Sequence, residues 1–304
     1  MKVLLVGLGS IARKHIDALR SIDPSVELFA WRSSDSSQHW EGITDLYDWE
    51  KVKEEGFNFA IISNPTSKHK ESIRILSELY IPLFIEKPLF HRLDIEELVN
   101  RVASCNVLTY VACNLRFLGA LSYVKEYLRE QQPRLNEVNI YCGSFLPDWR
   151  KGIDFRQNYS AIPDLGGGVH LDLIHEMDYV YWLFGYPQKI HSVFSNKSSL
   201  DIQSYDYANY CLEYSGFCVG IVLNYYRKDT KRTLELVCDK GTISIDLLKD
   251  SVAMNGEILY QSEQGVNDTY LAQMKYFMNC LQENRKSFNT ISDAYRVLQI
   301  CLES

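Results

Sequence analysis

The chain begins with a short apolar run that leads directly into a pair of glycines. Residues 3–6 are continuously apolar, as in a strand buried on both faces of a parallel sheet. Gly7-Leu8-Gly9-Ser10-Ile11-Ala12 follows, and a helix is predicted over residues 11–21. In this G-x-G-x-x-A pattern the first glycine makes a tight turn, the second lets the backbone approach a pyrophosphate, and the alanine allows close helix–strand packing. An ordinary glycine turn is the alternative. The pattern predicts a dinucleotide phosphate cradle at a helix N-terminus.

Strands and helices alternate through the first third of the chain. Further strands are predicted over 26–31, 57–62, 82–85 and 107–113, with a helix over 67–80. Asp94 is predicted to cap another helix, with Glu97 three residues later in a loose capping box. Repeated β-α-β units predict a doubly wound parallel sheet, the Rossmann arrangement, over residues 1–116.

The pattern changes after residue 116. A helix over 118–131 and a strand over 137–145 are followed by Gly166-Gly167-Gly168 and a predicted long helix to Phe184. Strands over 204–214, 217–226, 233–238 and 242–247 are joined by turns at 215–216 and 239–241. Helices over 268–283 and 292–302 close the chain. Residues 117–304 are therefore predicted to form an α+β domain with a large, mainly antiparallel open sheet, whose last helix can pack back on the first domain.

Bulk properties exclude several classes of protein. The 304 residues suit two domains, and a net charge of −7 without any Lys/Arg cluster leaves no electrostatic footprint for nucleic acid. The eight cysteines form no C-x-x-C pair, which indicates a reducing compartment, no disulfide framework and no metal site. The first apolar run is too short for a signal peptide, and no run is long enough to span a membrane. We expect a cytoplasmic protein.

The end of the second predicted strand bears on the cofactor. It reads Ala30-Trp31-Arg32-Ser33-Ser34, where NAD sites usually place an acidic residue on the ribose. Arg32 can pair with a 2′-phosphate and the serines can donate to it, while Asp35 lies slightly late for the acidic role. The segment favours NADP over NAD. The alternative is that Arg32 is a solvated surface cation.

Polar residues follow two more strand ends, which face the ligand crevice in such sheets. Asn64-Pro65-Thr66 and His69 follow the third strand, although Thr66 is also suited to capping the next helix. Glu86-Lys87-Pro88 follows the fourth, where Lys87 would point into the crevice beside a nicotinamide. A surface salt bridge is the alternative for the Glu-Lys pair.

The triple glycine precedes a third polar group. On one continuous helix, Asp172, His175 and Asp178 would lie three apart on a single face, and a carboxylate one turn away can orient an imidazole. A helix with two partnered polar residues is the alternative. Other residues predicted to line the cleft suit carboxylates, diphosphates or sugar faces, with core packing as the alternative for the two aromatic ones. They are Arg116, Trp149, Arg150 and Tyr159.

Taken together and in order, these motifs resemble the glucose–fructose oxidoreductase, inositol dehydrogenase and rhizopine-catabolism family, Gfo/Idh/MocA. The resemblance covers nearly the whole chain and includes Asn114-Leu115-Arg116-Phe117 and the final helices. Many members space the helical pair as D-x-x-x-H, whereas this chain has D-x-x-H, as in a branch with the pattern L-D-L-x-H-E-x-D-Y.

The resemblance implies hydride transfer between a nicotinamide and a hydroxyl or carbonyl carbon of a sugar, nucleotide sugar or cyclitol. It implies Lys87, Asp172 and His175 as the catalytic set, with Asn114, Glu86 and Lys87 among the cofactor-binding residues. It also implies a homodimer or homotetramer formed through the C-terminal sheet. Two alternatives stay open: an enzyme that oxidises its substrate transiently with a tightly held cofactor, and a non-catalytic dinucleotide sensor.

Overall fold

The computed structural model of the protein describes residues 1–34, 38–150 and 152–303, and these form two compact units. The first unit comprises Met1–Asn114 together with Asn267–Tyr295. The second comprises Leu115–Val266 together with residues 296–303. The chain therefore returns to its first unit after the second. The sequence predicted one domain over 117–304 and allowed its last helix to pack back on the first, whereas the returning segment is Asn267–Tyr295.

The first unit is built on a six-stranded parallel sheet. Its strands are β1 (Lys2–Val6), β2 (Glu27–Trp31), β3 (Thr44–Leu46), β4 (Phe59–Ile62), β5 (Leu83–Ile85) and β6 (Thr109–Val111). Its connecting helices are α1 (Ser10–Ile22), α2 (Trp49–Glu55), α3 (Thr66–Leu76) and α4 (Glu96–Ser104). The strand order β3-β2-β1-β4-β5-β6 places β1 beside both β2 and β4, and every pair is parallel. This confirms the predicted doubly wound sheet.

The predicted cap at Asp94 is wrong. The N-cap of α4 is Ile95, and it makes no side-chain capping bond. Asp94 instead pairs with Lys70 at 3.0 Å and Arg92 at 3.2 Å. These charges lower the pKa of Asp94, with the Lys70 hydrogen bond as the largest cause. The Asp94 carboxylate therefore forms ion pairs with two cations and does not cap α4.

The second unit contains an eight-stranded mixed sheet. Its helices are α5 (Gly119–Gln131), α6 (Val169–Asp172) and α7 (His175–Phe184). Its strands are β7 (Leu135–Phe145), β8 (Lys189–Ser195), β9 (Tyr207–Glu213), β10 (Cys218–Asn224), β11 (Tyr226–Cys238), β12 (Gly241–Asp246), β13 (Ser251–Met254) and β14 (Glu257–Gln261). The order is β14-β13-β12-β11-β7-β10-β9-β8, with β7 and β10 parallel and the other neighbours antiparallel. The predicted large, mainly antiparallel sheet is confirmed.

Short 3₁₀ turns connect several of these elements, and two longer helices follow the sheet. The 3₁₀ turns are Ser77–Leu79, Asn114–Phe117, Leu146–Asp148, Phe155–Gln157, Tyr159–Ala161 and Pro163–Leu165. The final helices are α8 (Val266–Gln282) and α9 (Ile291–Leu302). Within the described part of the chain, no helix has both the length and the apolar character needed to cross a membrane.

The helix predicted to run from the triple glycine to Phe184 is two helices. Helix α6 ends at Asp172, Leu173 adopts φ −99° and ψ 30°, and α7 begins at His175. The prediction of one continuous face carrying Asp172, His175 and Asp178 is therefore wrong. The two carboxylates lie on separate helices and have separate partners, tyrosines for Asp172 and Arg116 for Asp178.

Candidate functional site

The two glycines of the G-x-G-x-x-A pattern have different roles. Gly7 has φ +93°, and a Cβ there would lie 2.4 Å from the backbone nitrogen of Asn64, so only glycine allows this approach of two strand-end loops. Gly9 is the N-cap of α1, and a Cβ there would meet nothing within 4 Å. Ala12 is fully buried against the sheet, while Ser10 is exposed and Ile11 half-buried.

The N-terminus of α1 is suited to an anion. Its first turn holds no acidic residue and no side chain caps it. The first N–H groups of a helix lack intrahelical acceptors and carry a partial positive charge. With open space in front of Gly9, the first turn fits the pyrophosphate of a dinucleotide.

His69 lies beneath the loops that follow β4 and β5. It is 1% exposed; its Nε2 is 3.0 Å from the Asn64 carbonyl oxygen, and its Nδ1 is 3.0 Å from that of Pro88. Burial lowers the pKa of His69 more than these carbonyls and Glu86 raise it. Thr66 makes no capping bond to α3, whose N-cap is Pro65. The imidazole therefore ties the Asn64 loop to the Pro88 loop.

Glu86 is buried and does not form a surface salt bridge. Its Oε1 lies 2.6 Å from Nε2 of the fully buried His15, and its Oε2 accepts a hydrogen bond from the Lys87 backbone N–H at 3.1 Å. Burial raises the pKa of Glu86, while the hydrogen bond and charge of His15 and the contacts of Lys87 lower it. The lowering effects together exceed the effect of burial, so the pKa of Glu86 lies below its usual value. Lys87 itself is half-buried and is followed by a cis bond to Pro88.

Two other predicted cofactor residues of the first unit, Arg32 and Asn114, each contact a side chain of the same unit. Arg32 is not a solvated surface cation, because its guanidinium pairs with Asp45 at 3.3 Å and its side chain is 11% exposed. Ser33 is exposed and Ser34 half-buried, whereas Asp35 lies outside the described residues. Asn114 is buried, and its Nδ2 donates to Oγ1 of Thr269 at 2.9 Å.

In the second unit, the Asp172 carboxylate accepts hydrogen bonds from two tyrosines. The Tyr159 hydroxyl donates to Oδ1 at 3.0 Å, and the Tyr225 hydroxyl donates to Oδ2 at 2.5 Å. Burial, followed by the negative charge of Asp172, raises the pKa of both tyrosines, so both remain neutral donors. We call Asp172, Tyr159 and Tyr225 the carboxylate–tyrosine cluster.

The structure brings two more predicted residues to this cluster. The Trp149 ring meets the Tyr225 ring edge-on with centroids 5.3 Å apart, and its indole N–H donates to Ser144 Oγ at 3.0 Å. The Arg150 guanidinium lies 5.3 Å from the centre of the Tyr159 ring. Trp149 and Arg150 are both exposed, so they can meet a ligand beside Asp172.

Helix α7, which begins with the half-buried His175, is anchored by two ion pairs. Fully buried Glu176 accepts from Arg232 Nε at 2.7 Å. Buried Asp178 accepts two bonds from Arg116, at 2.8 and 2.9 Å. Arg116, predicted to bind substrate, is thus engaged with the Asp178 carboxylate.

The triple glycine serves chain packing. A Cβ at Gly167 would lie 2.2 Å from the carbonyl oxygen of Tyr159, and Gly168 has φ +130°. The sequence attributed these glycines to close approach of a ligand, whereas Gly167 lies against carbonyls of its own chain. This contact sets Tyr159 beside Asp172.

Three important residues were missed from the sequence: His15, Tyr225 and Arg232. His15 lies on the buried face of α1, which also carries Ala12, Ile16 and Leu19, and a polar residue in that stripe was the available signal. Tyr225 and Arg232 carry no comparable local signal. Among the described residues, no group of three or more His, Cys, Asp or Glu side chains could hold a metal ion.

Family models match both units. Residues 1–113 match the oxidoreductase family's NAD-binding Rossmann fold, and residues 136–303 match the same family's C-terminal alpha/beta domain. The fold and the first-unit site thus define an NAD-binding oxidoreductase. More particularly, the chain belongs to the Gfo/Idh/MocA family, which confirms the resemblance read from the motifs.

Solved structures share this fold at low sequence identity. Levoglucosan dehydrogenase, in complex with NADH and levoglucosan, is 16% identical with a TM-score of 0.84, covering 99% of this chain and 95% of the other. Myo-inositol 2-dehydrogenase from Lactobacillus plantarum is 19% identical with a TM-score of 0.79 and the same coverages. UDP-N-acetylglucosamine 3-dehydrogenase from Acidithiobacillus ferrooxidans is 16% identical with a TM-score of 0.80, covering 100% and 96%. No curated protein matches the sequence.

Proposed function

We propose that this protein is an NAD(P)-dependent dehydrogenase or reductase acting on a CH–OH carbon of a sugar, nucleotide sugar or cyclitol. The observation that carries the proposal is the carboxylate–tyrosine cluster beside the start of α7. It presents a fixed carboxylate, exposed Trp149 and half-buried His175, a combination suited to binding and deprotonating a polyol. Structures of similar fold are named as levoglucosan, inositol and nucleotide-sugar dehydrogenases.

We assign the cofactor to the first unit. The N–H groups of Gly9, Ser10 and Ile11 would hold the pyrophosphate, and the loops at Asn64 and Lys87 would flank the nicotinamide, as would Asn114. Bound there, the nicotinamide supplies hydride acceptance or donation. His69 and Glu86 hold these loops from beneath. Residues 32–34 alone favour NADP over NAD. Arg32, however, already forms an ion pair with Asp45, and this pair affects the preference between the two dinucleotides.

The proposed chemistry uses Lys87, Asp172 and His175. His175 takes the proton of the substrate hydroxyl as general base, and Lys87 donates a hydrogen bond to the same oxygen and stabilises its developing negative charge. Asp172 binds a neighbouring hydroxyl, with Tyr159 and Tyr225 fixing its orientation. Trp149 and Arg150 contact the rest of the substrate, whereas Arg116 positions α7 through Asp178.

The test separates cofactor binding from turnover. NADH and NADPH are titrated by fluorescence against the wild type and Gly9→Val, because a side chain at Gly9 meets only open space in the protein. We expect Gly9→Val to melt like the wild type and to lose dinucleotide binding.

Lys87→Met and His175→Asn are then assayed on sugars, cyclitols and nucleotide sugars. We expect about 100-fold slower turnover, within the usual range for a lost acid–base group. Turnover of Lys87→Met near the wild-type rate would contradict the assignment.

The two alternatives left open by the sequence give different results in the same experiment. A dinucleotide that stays bound through purification, with net hydrolysis or sugar–sugar exchange, would favour transient oxidation. Tight dinucleotide binding with no turnover of any sugar would favour a sensor.

We further propose a cytoplasmic homodimer or homotetramer formed through the eight-stranded sheet. Strand β7 has one face open to such a contact, because Val138 and Ile140 are buried while Glu137 and Asn139, on the opposite face, are exposed. Light scattering of the wild type would test it, and a monomer at all concentrations would contradict it.

A further inference from the structure

An acidic residue from β3 reaches the end of β2. The two strands are parallel neighbours, with Ala30 opposite Asp45 and Trp31 opposite Leu46. The Arg32 backbone N–H continues this pairing by donating to the Leu46 carbonyl at 2.8 Å. Arg32 and Asp45 are therefore held side by side by the sheet.

The Arg32 guanidinium is engaged within the protein. Its Nη1 lies 3.3 Å from Asp45 Oδ1, and its Nη2 donates to the Gln38 carbonyl at 3.1 Å. The other oxygen of Asp45 lies 2.9 Å from Nδ1 of His39. The side chains of Arg32 and Asp45 are 11% and 9% exposed, so water screens this pair little.

The end of the second strand is where Rossmann domains distinguish their dinucleotides. A carboxylate there favours the free ribose hydroxyls of NAD, and an arginine favours the 2′-phosphate of NADP. In this chain both are present, but the carboxylate comes from the neighbouring strand. Its charge offsets that of Arg32 and repels a phosphate dianion.

We propose that Asp45 is a specificity-determining residue that lowers the affinity for NADP(H) relative to NAD(H). The inference rests on the dinucleotide site of the proposed function. It reverses the preference that residues 32–34 indicate by themselves, because the arginine that would recognise the phosphate is already neutralised. The wild type therefore binds NADH more tightly than NADPH.

The test measures dissociation constants of NADH and NADPH for the full chain, and requires no knowledge of the substrate. We expect Asp45→Asn to tighten NADPH binding by about tenfold, which corresponds to about 1.4 kcal/mol. NADH binding should change by less than about threefold, well below the NADPH effect. Adding Arg32→Gln to Asp45→Asn should remove the gain. Glu27→Gln, which removes an exposed carboxylate at the other end of β2, is the matched control.

A second measurement uses only the wild type and so does not depend on a variant folding. ADP and 2′-phospho-ADP compete against bound NADH, and the added phosphate should weaken competition. Tighter binding of NADPH than NADH, an unchanged NADPH-to-NADH ratio in Asp45→Asn, or stronger competition by 2′-phospho-ADP would overturn the inference while leaving the proposed function standing. Failure of both dinucleotides to bind the wild type would overturn both.

Discussion

Buried hydroxyl groups can be compared directly in the second unit, because two of its fully buried tyrosines differ in their partners. Tyr225 donates to Asp172, whereas the Tyr179 hydroxyl has no hydrogen-bond partner among the described residues. Replacing tyrosine by phenylalanine therefore removes a charge-assisted hydrogen bond at position 225 and no hydrogen bond of this kind at position 179.

We predict that Tyr225→Phe lowers the free energy of unfolding by about 1.5–3 kcal/mol, because a buried carboxylate oxygen loses its donor. Tyr179→Phe should be near neutral, within about 0.5 kcal/mol. Urea denaturation of both variants measures the difference. Equal destabilisation would show that the Tyr225–Asp172 bond is not energetically important.

His170 gives the second unit a specific sensitivity to acid. It packs against Phe194 and Tyr205, its Nδ1 is buried without a partner among the described residues, and burial lowers its pKa to about 4. In the unfolded chain the pKa is about 6.5. The unfolded state therefore binds more protons as the pH falls, and stability present above pH ~6.5 is lost toward pH ~4.

The predicted loss assigned to His170 is on the order of 3 kcal/mol between neutral pH and pH ~4. His170→Phe keeps an aromatic ring but cannot take up the proton, so its stability should fall less over this range. Exposed His191, changed to Gln, is the control and should follow the wild type. Parallel pH profiles for the wild type and His170→Phe would contradict this prediction.

Residues with a local backbone role could be predicted from sequence, and residues with distant partners could not. Gly7 and Ala12 carry their function in their small size, at a fixed spacing after an apolar strand. Tyr225 meets Asp172 across 53 positions, and His15 meets Glu86 across 71. Neither partner changes the local pattern around the other, so only the fold reveals the pair.

At the scale of elements, the break between α6 and α7 shows how side-chain pairs override helical periodicity. Residues 169–184 read as one helix, yet Asp172 is held by tyrosines and Glu176 by Arg232 of β11. The long strands and α1 were predicted well because their apolar patterns are long. Strands β3, β8, β13 and β14 were not predicted. Most of their residues are exposed or half-buried, so they lack the continuous apolar run that marks even the short β5 and β6.

The Glu176–Arg232 pair should stabilise the packing of α7 on the sheet only while both charges are present. Arg232→Met leaves a fully buried carboxylate unpaired, and we predict a loss of about 3–5 kcal/mol. The double variant Glu176→Gln, Arg232→Met should recover most of it, because no buried charge remains. Urea denaturation in a double-mutant cycle measures the coupling. Additive losses would contradict the prediction.

At the scale of the whole molecule, the chain passes through the second unit and then returns to complete the first. Phe277 of α8 packs on Phe59 at 5.1 Å and Phe84 at 5.4 Å between ring centroids, and it is fully buried. The sequence correctly indicated a helix here. The sequence could not show which sheet the helix packs on, because the apolar face of a helix does not specify which of two sheets it covers.

This connectivity predicts which pieces of the chain fold. Residues 1–114 alone would expose the apolar surface that α8 covers, so we expect no cooperative thermal transition and strong binding of a hydrophobic dye.

The ends of the missing connection are close, since Asn114 donates to Thr269 at 2.9 Å, and a short Gly/Ser linker can join residue 114 to residue 267. The fusion of 1–114 with 267–295 should melt cooperatively and bind NADH. Phe277→Ala in that fusion should cost about 3–5 kcal/mol. A fragment 1–114 that melts as cooperatively as the fusion would show that α8 is dispensable for the first unit.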